Sequence, residues 1–422
     1  MHYKWRALAL LWVAFFLQQG TRQVFNATQT SISASLLLDP AQIGLVGTVF
    51  TFIYGLSVPF AGIAADMLNR KWMVVSGVFV FCLGIFASGF VSCLGLLLVT
   101  YGILNGFGQS FYYPSATSII GELHKETRAT ALSILQLGLY VGIIGCSVAS
   151  GWLAERGTEG WCVPFKVFGG IGIVWAVVLA FGLKKGKASV AAAAADTREK
   201  AESDVGQGVK EGKPSLKEAF CAFLDNPSAL LLAVGLGMMV YVDVGFKQWM
   251  PAHLEETFNL AKGTAALHAV LWHYLGAFVG VTLGARISDR LVKVRPSVRM
   301  ETNIAGLALA APFIVWMAFA PSLVACGIAM ALFGVFRGVY DSNLMAALFD
   351  IIPQRFHASG AGIMLSFAFV FGSTSPVVLG ALKERFASST GLATLAAVYL
   401  VGAAAIALAR RRQYGPRGTA KT

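Results

Sequence analysis

Apolar runs of 19 to 27 residues recur along almost the whole chain, broken by short polar connections. They cover residues 7–30, 41–63, 72–90, 94–119, 130–154, 165–183, 229–251, 265–285, 302–320, 323–349, 360–382 and 391–409. An α-helix rising about 1.5 Å per residue needs about 20 apolar residues to cross about 30 Å of hydrocarbon. In lipid only helices and closed barrels satisfy their backbone groups, and unbroken apolar runs indicate helices. The pattern predicts an all-α membrane protein with twelve transmembrane helices. The first run follows Lys4 and Arg6 without a small-residue cleavage site behind a short apolar region. It reads as a retained helix rather than a signal peptide.

One long hydrophilic stretch interrupts the series, from Lys184 through an alanine tract at 191–195 to about residue 228. Its mixed charge, glycine content and scarcity of aromatics fit a linker that buries little surface. It follows the sixth run and divides the chain into an N-terminal six-helix bundle at 1–184, a cytoplasmic linker at 185–228, a C-terminal six-helix bundle at 229–409 and a basic cytoplasmic tail at 410–422. Six runs on each side predict two pseudo-symmetric bundles.

Composition supports the membrane reading: 56% of the 422 residues are apolar and 13% charged, against about 25% charged in ordinary soluble domains. The net charge of +12 raises the question of nucleic acid, which the placement of the charges answers. With the N-terminus in the cytoplasm, 25 of the 33 Lys and Arg fall in cytoplasmic segments, five fall outside and three lie within helices. That asymmetry is the positive-inside pattern, so both termini are expected in the cytoplasm, with no nucleic-acid partner. The six cysteines are scattered, mostly within apolar runs, without CxxC spacing, so no metal or redox site is expected. No GxxxxGK[ST] loop, HExxH or GxSxG segment is present, which argues against ATP drive and against an enzyme. No cofactor is expected.

Two loops carry a repeated pattern. Between the second and third runs lies Gly62-Ile-Ala-Ala-Asp66-Met-Leu-Asn-Arg70-Lys71; between the eighth and ninth lies Gly284-Ala-Arg286-Ile-Ser-Asp289-Arg290. A glycine, an aspartate four or five residues on and a basic cluster, at matching places in a 6+6 layout, resemble the major facilitator superfamily over nearly the whole chain. Positive-inside anchoring explains the basic residues but not the shared glycine-to-aspartate spacing. The resemblance implies alternating access around a central cavity lined by helices 1, 4, 7 and 10. It also implies a cytoplasmic gating latch involving Gly62, Asp66, Arg70, Gly284, Asp289 and Arg290.

An ion within a span is costly, so each one needs a partner, a wet cavity or a function. Five qualify: Arg22, Asp243, Lys247, Arg337 and Asp341, with His268 and His273 as titratable neighbours. In the first run, Gln18, Gln19, Arg22, Gln23 and Asn26 share one helical face and form a polar stripe. Arginine offers a planar fork of donors suited to carboxylate, sulfonate or phosphate oxygens. The stretch Gly20-Thr-Arg22-Gln-Val-Phe25-Asn26 resembles the first helix of the anion-transporting branches, the organophosphate:phosphate antiporters and anion:cation symporters. The resemblance implies that Arg22 grips the substrate; an arginine reaching for the interface, or pairing with the seventh helix, is the alternative.

The seventh run holds Asp243, Lys247 and a Trp249-Met-Pro251-Ala-His-Leu254 stretch, again similar to the organophosphate branch. Asp243 stands where that branch has its second substrate arginine, so the two-arginine phosphate clamp is not intact. Asp243 and Lys247 are four residues apart and either neutralise one another or act separately, in proton coupling and substrate contact. Arg337 and Asp341 of the tenth run have the same spacing, and burial of an ion pair for stability alone is seldom favourable. Asn105, Gln109, Tyr112 and Tyr113 line one face of the fourth run, ahead of Pro114. His273 can carry a coupling proton or simply pack.

The expectation is a secondary active transporter of a small hydroxylated organic anion such as a sugar acid, probed through Arg22, Gln19, Gln23, Asn26, Gln109, Tyr113, Lys247 and Arg337. Asp243, Asp341 and His273 are the candidate proton carriers. Three cations against two acids favour an anionic substrate. Exchange against a counter-anion, and a drug or lipid exporter of the same fold, are the alternatives. A monomer in the bilayer of a bacterial inner membrane is expected.

Overall fold

A computed structural model describes residues 3–124, 127–155, 159–184, 216–292, 294–353 and 356–414. Most of the anticipated linker (185–215) and the end of the basic tail (415–422) lie outside the described residues, as does the side chain of Asp66. Among the described residues every regular element is helical: α1 Tyr3–Leu36, α2 Pro40–Met67, α3 Arg70–Ser88, α4 Leu94–Leu123, α5 Arg128–Ala154, α6 Cys162–Gly182, α7 Leu216–Leu224, α8 Pro227–Phe258, α9 Lys262–Leu291, α10 Val298–Ala318, α11 Leu323–Phe349, α12 His357–Gly372, α13 Ser375–Arg385 and α14 Ser388–Tyr414.

Eleven spans are long and apolar enough to cross a bilayer, α12 and α13 together forming one of them. The twelfth is α1, 34 residues long. Its polar stripe from Gln18 to Asn26 dilutes the hydropathy of the apolar stretch at residues 7–17. Most helices begin a few residues before their apolar runs, and their ends depart from the runs because caps, not hydropathy, set them. Asn69 caps α3 by accepting from the Lys71 amide, and Asn226 caps α8 by accepting from Ser228 and Ala229, with Pro227 at the first helical position. Asn259, at φ 50°, ends α8 in the left-handed conformation.

The chain forms two compact units. The first combines the described residues of Met1–Ser31 and Leu56–Lys213; the second combines those of Ile32–Gly55 and Pro214–Thr422. The core of the first unit is built from Leu11 and Phe15 of α1, Val78 and Phe81 of α3, Tyr112 of α4, Leu135 of α5 and Leu179 of α6. The Tyr112 hydroxyl donates to the Leu11 carbonyl and the Trp175 indole to that of Leu10, at 3.1 Å, so the buried aromatics keep their polar ends satisfied. In the second unit the early part of α2 is fastened by side chains of α8: Gln248 Nε2 donates to the Ile43 carbonyl at 3.2 Å. Trp249 Nε1 donates to Pro376 at 3.1 Å and joins α8 to α13.

Helices α9 and α11 approach until backbone meets backbone. A Cβ added at Gly276 would lie 2.0 Å from the Ala331 carbonyl oxygen, and one at Gly338 would lie 2.3 Å from that of Ala277. Small residues at such crossings replace the hydrophobic drive that lipid does not supply. This contact fixes the height of His273 against Arg337.

Two boundaries differ from the sequence expectation. Residues 216–224, expected to belong to the hydrophilic linker, form the amphipathic helix α7, with Phe223 buried and Phe220 and Leu224 exposed. The final helix continues to Tyr414, because Arg410 is held by Glu301 instead of starting a solvated tail.

Candidate functional site

In the first unit the polar stripe of α1 meets α4. A π-helical stretch over Leu98–Asn105 widens α4 just before the polar residues that face α1, a winding often found at functional sites. Arg22 Nε donates to Gln109 Oε1. Arginine has no acceptor, so this bond fixes the Gln109 amide, whose nitrogen turns to Asn105 Oδ1 at 2.9 Å and to Thr21 Oγ1 at 3.4 Å. Gln18 Nε2 donates to the Gln109 carbonyl at 2.7 Å, and Tyr101 Oη donates to the Arg22 carbonyl at 3.3 Å. Asn26 donates to Gln23 at 3.2 Å. The Arg22 guanidinium thus meets the Gln109 amide of α4, and its backbone carbonyl meets the Tyr101 hydroxyl.

Not every residue of the expected set joins this network. Gln18, buried, bonds α4, while Gln19 lies at the half-buried edge of α1. Tyr113 is 42% exposed and stacks at 5.6 Å on Phe15, one step round α4 from Gln109. Thr21, Asn105 and Tyr101 belong to the network and were not among the expected contacts. Asn105 was legible from its place four residues before Gln109; the register of Thr21 was not.

In the second unit five side chains from α8, α9 and α11 converge. Lys247 Nζ donates to Asp243 Oδ2 at 2.7 Å. Arg337 Nη1 lies 3.1 Å from Asp243 Oδ1, and Nη2 lies 3.7 Å from Asp341 Oδ2. Arg337 Nη1 also donates to His273 Nε2 at 2.8 Å. The imidazole thus accepts at Nε2 and carries its proton at Nδ1, the tautomer imposed by a neighbour that only donates. Lys247 Nζ stands 5.6 Å over the Tyr274 ring. Phe246 and Phe333 flank His273 at 5.1 and 5.0 Å and close that side to water.

Both four-residue pairs read from sequence are present, but Arg337 lies nearer Asp243 of α8 than Asp341 of its own helix. This cross-helix bridge and the His273 bond tie three helices together, and no spacing rule on one helix reveals them. Two cations and two acids balance within the cluster. Asp341 keeps 31% side-chain exposure against 16% for Asp243 and is the more open acid. His268 stands apart, accepting from Trp272 at 2.8 Å.

The two repeated loops are arranged differently. Arg70 pairs with Glu122 at the end of α4. Asp289 and Arg290 are exposed at the end of α9, where the nearby ion pairs are Arg299–Asp350 at 2.6 Å and Arg410–Glu301 at 2.8 Å. Gly284 lies against α11, where an added Cβ would come 2.8 Å from Val339 Cα. Among the described residues no group of three or more His, Cys, Asp or Glu is arranged to hold a metal.

Comparison with known proteins gives this architecture a context. The chain matches the Major Facilitator Superfamily over residues 11–376. It is 25% identical over 393 residues to the probable sulfoacetate transporter SauU of Cupriavidus necator, covering 90% of this chain and 87% of that protein. It is 24% identical over 424 residues to the D-galactonate transporter of Escherichia coli O6:H1, covering 95% and 94%. In structure it superposes with a TM-score of 0.82, at 20% identity and over 97% and 98% of the two chains, on an inward-facing bacterial homologue of the human lysosomal transporter Spinster.

Proposed function

The chain belongs to the Major Facilitator Superfamily and is a membrane transporter rather than an enzyme, and we propose that its cargo is a small hydroxylated organic anion, a sugar acid or close analogue, moved by proton-coupled alternating access. The observation that carries this reading is the seating of Arg22. Gln109 engages its Nε, an arrangement that positions the two Nη donors for a bidentate anion. The surrounding Gln19, Gln23, Asn26 and Tyr113 offer neutral hydrogen bonds to hydroxyl groups. Relatives named for sulfoacetate and D-galactonate, both small anions, support the same class.

In this reading Lys247 and Arg337 are secondary substrate contacts that must leave their acids to act. Asp243 and Asp341 are the proton acceptors, with Asp341 the first to meet water because it is the more exposed. Neutralising either acid weakens its hold on Arg337, frees a guanidinium for the substrate and couples the two events. His273 holds Arg337 in place and is the third candidate carrier. Gly62, Asp66, Arg70, Gly284, Asp289 and Arg290 form the gating loops, and both termini face the cytoplasm of a bacterial cell as a monomer in the inner membrane. Exchange against a counter-anion is the competing mode, favoured by the resemblance of the α8 Trp249–Leu254 stretch to the organophosphate antiporters.

Reconstituted protein, offered D-galactonate, sulfoacetate, hexose phosphate and simple carboxylates with and without an inward proton gradient, tests both modes. Accumulation of a sugar acid only with the gradient is expected. Accumulation driven by internal phosphate without a gradient establishes exchange instead, and exclusion of every anion overturns the substrate class. Topology is tested with Val205→Cys, which is expected to label only from the cytoplasmic side.

A further inference from the structure

Behind the ion cluster, polar atoms of the second unit lack any hydrogen-bond partner: Arg337 Nε, Tyr340 Oη, Tyr399 Oη, and both amide atoms of Asn303. The last three side chains are fully buried, at 0% exposure each. They come from α10 and the two helices packed against it, α11 and α14. Buried hydroxyls and amides are almost always bonded to protein or to ordered water, since an unmet group costs more than the bond would return. Four such side chains together are not a packing accident.

Their positions form a row. Arg337 and Tyr340 are three residues apart on α11, hence one turn apart on the same side. Tyr399 enters from α14 at the Arg337 end, its ring 5.9 Å from that of Phe333, one turn before Arg337. Gly306 of α10 faces Tyr340, where an added Cβ would lie 3.0 Å from the Tyr340 Cβ. Asn303 lies three residues earlier on that same face of α10. Beyond it, Glu301 receives Arg410 Nε at 3.0 Å at the end of the helix. The row therefore runs from the guanidinium of the ion cluster toward the start of α10, where Glu301, two residues before Asn303 and on the other side of the helix, holds Arg410.

We propose that this row holds a chain of ordered water molecules inside the second unit and that the chain is a proton route between Glu301–Arg410 and Arg337–Asp341. The waters follow from the orphaned atoms alone; their use as a route rests on the proton-coupled reading above. Each water bonds about three polar groups, which the Tyr340, Tyr399 and Asn303 side chains and Arg337 Nε supply. A protonated Asp341 gives its proton to the chain, and exchange of O–H bonds along the waters carries it to the Glu301 end. It leaves there as hydronium, with the Asp341 carboxylate and neutral waters left behind. The charged and titratable groups facing the cluster end are Asp243, Asp341, Lys247, His273 and Tyr274; Glu301 and Arg410 face the other.

Melting of the purified full-length protein separates wet from dry. Tyr340→Phe and Tyr399→Phe keep the ring and remove only the hydroxyl. Hydroxyls bonded to water stabilise, so each variant is expected to melt about 2–4 °C lower, the scale of one hydrogen bond in a bundle of this size. An unchanged or higher melting temperature, as expected on removing a dry hydroxyl, overturns the water chain. The route is read in vesicles loaded with a pH-sensitive dye and offered D-galactonate. Tyr340→Phe and Asn303→Leu are expected to abolish D-galactonate-driven proton entry while leaving D-galactonate counterflow intact. Parent-like proton entry in both variants overturns the route. Parent protein that moves no D-galactonate counts against the sugar-acid reading instead, and the melting result still decides the waters.

Discussion

The polar centres of the two units solve one problem, charge in a membrane span, in opposite ways. In the first unit Arg22 is steadied by Gln109, and through it by Asn105 and Thr21, a network of neutral dipoles. In the second unit Arg337 and Lys247 are met by Asp243 and Asp341, and the cluster balances. A dipole network orients a cation without cancelling it. An ion cluster cancels its charges, so an anion must displace an acid or wait for a proton to do so. The proposal above gives substrate grip to the first region and coupling to the second.

Breaking the second region is expected to have the largest effect. Arg337→Ala leaves Asp243 and Asp341 without their shared guanidinium, and loss of one partner from a buried pair costs about 3–5 kcal/mol. A pronounced fall in thermal stability in detergent is expected, with partial recovery in the double variant Arg337→Leu/Asp341→Leu, which keeps the Lys247–Asp243 pair and leaves no acid of the cluster without its cation. Failure of the double variant to recover would locate the defect in packing rather than charge.

Next comes the split between coupling and grip. Asp243→Asn mimics the protonated acid and keeps the shape. It is expected to lose gradient-driven accumulation in vesicles while substrate binding persists. Unchanged accumulation would leave Asp243 as the counter-ion of Lys247 and move coupling to Asp341 or His273. On the other side, Gln109→Leu removes the acceptor that steadies Arg22. A charge-assisted bond of about 1.5–3 kcal/mol is at stake, so affinity is expected to fall about ten- to hundredfold without loss of coupling. The smallest effect belongs to Glu122→Gln, which weakens a pair with an exposed acid. A change in melting of no more than about 1 kcal/mol is expected, as for other exposed pairs.

Reading the sequence went further with the fold than with the site, and the reason is physical. Lipid imposes one length and one polarity on every span, so apolar runs located all twelve, the polar-striped α1 among them. Helix ends depend on caps such as Asn226 and on partners such as Glu301 for Arg410, which hydropathy does not register. Within the site, the face shared by Gln18, Arg22 and Asn26 and the pairs Asp243–Lys247 and Arg337–Asp341 were visible because helical periodicity sets them. The bridge from Arg337 to Asp243 and the bond from Arg337 to His273 depend on how α8, α9 and α11 cross. That crossing is set by glycine contacts such as Gly276 on Ala331, which no single helix encodes.

The division of labour stands or falls on Arg22. Arg22→Lys keeps the charge but loses the planar fork, and Arg22→Ala loses both. Binding of the panel anion that the parent protein accumulates, measured by titration calorimetry on folded, monodisperse variants, is the direct measurement. The expected result is weak but measurable affinity for Arg22→Lys, far lower affinity for Arg22→Ala, and parent-like binding for Asp243→Asn. Parent-like affinity in Arg22→Ala would contradict the account, leaving Arg22 a packing residue and placing anion recognition elsewhere.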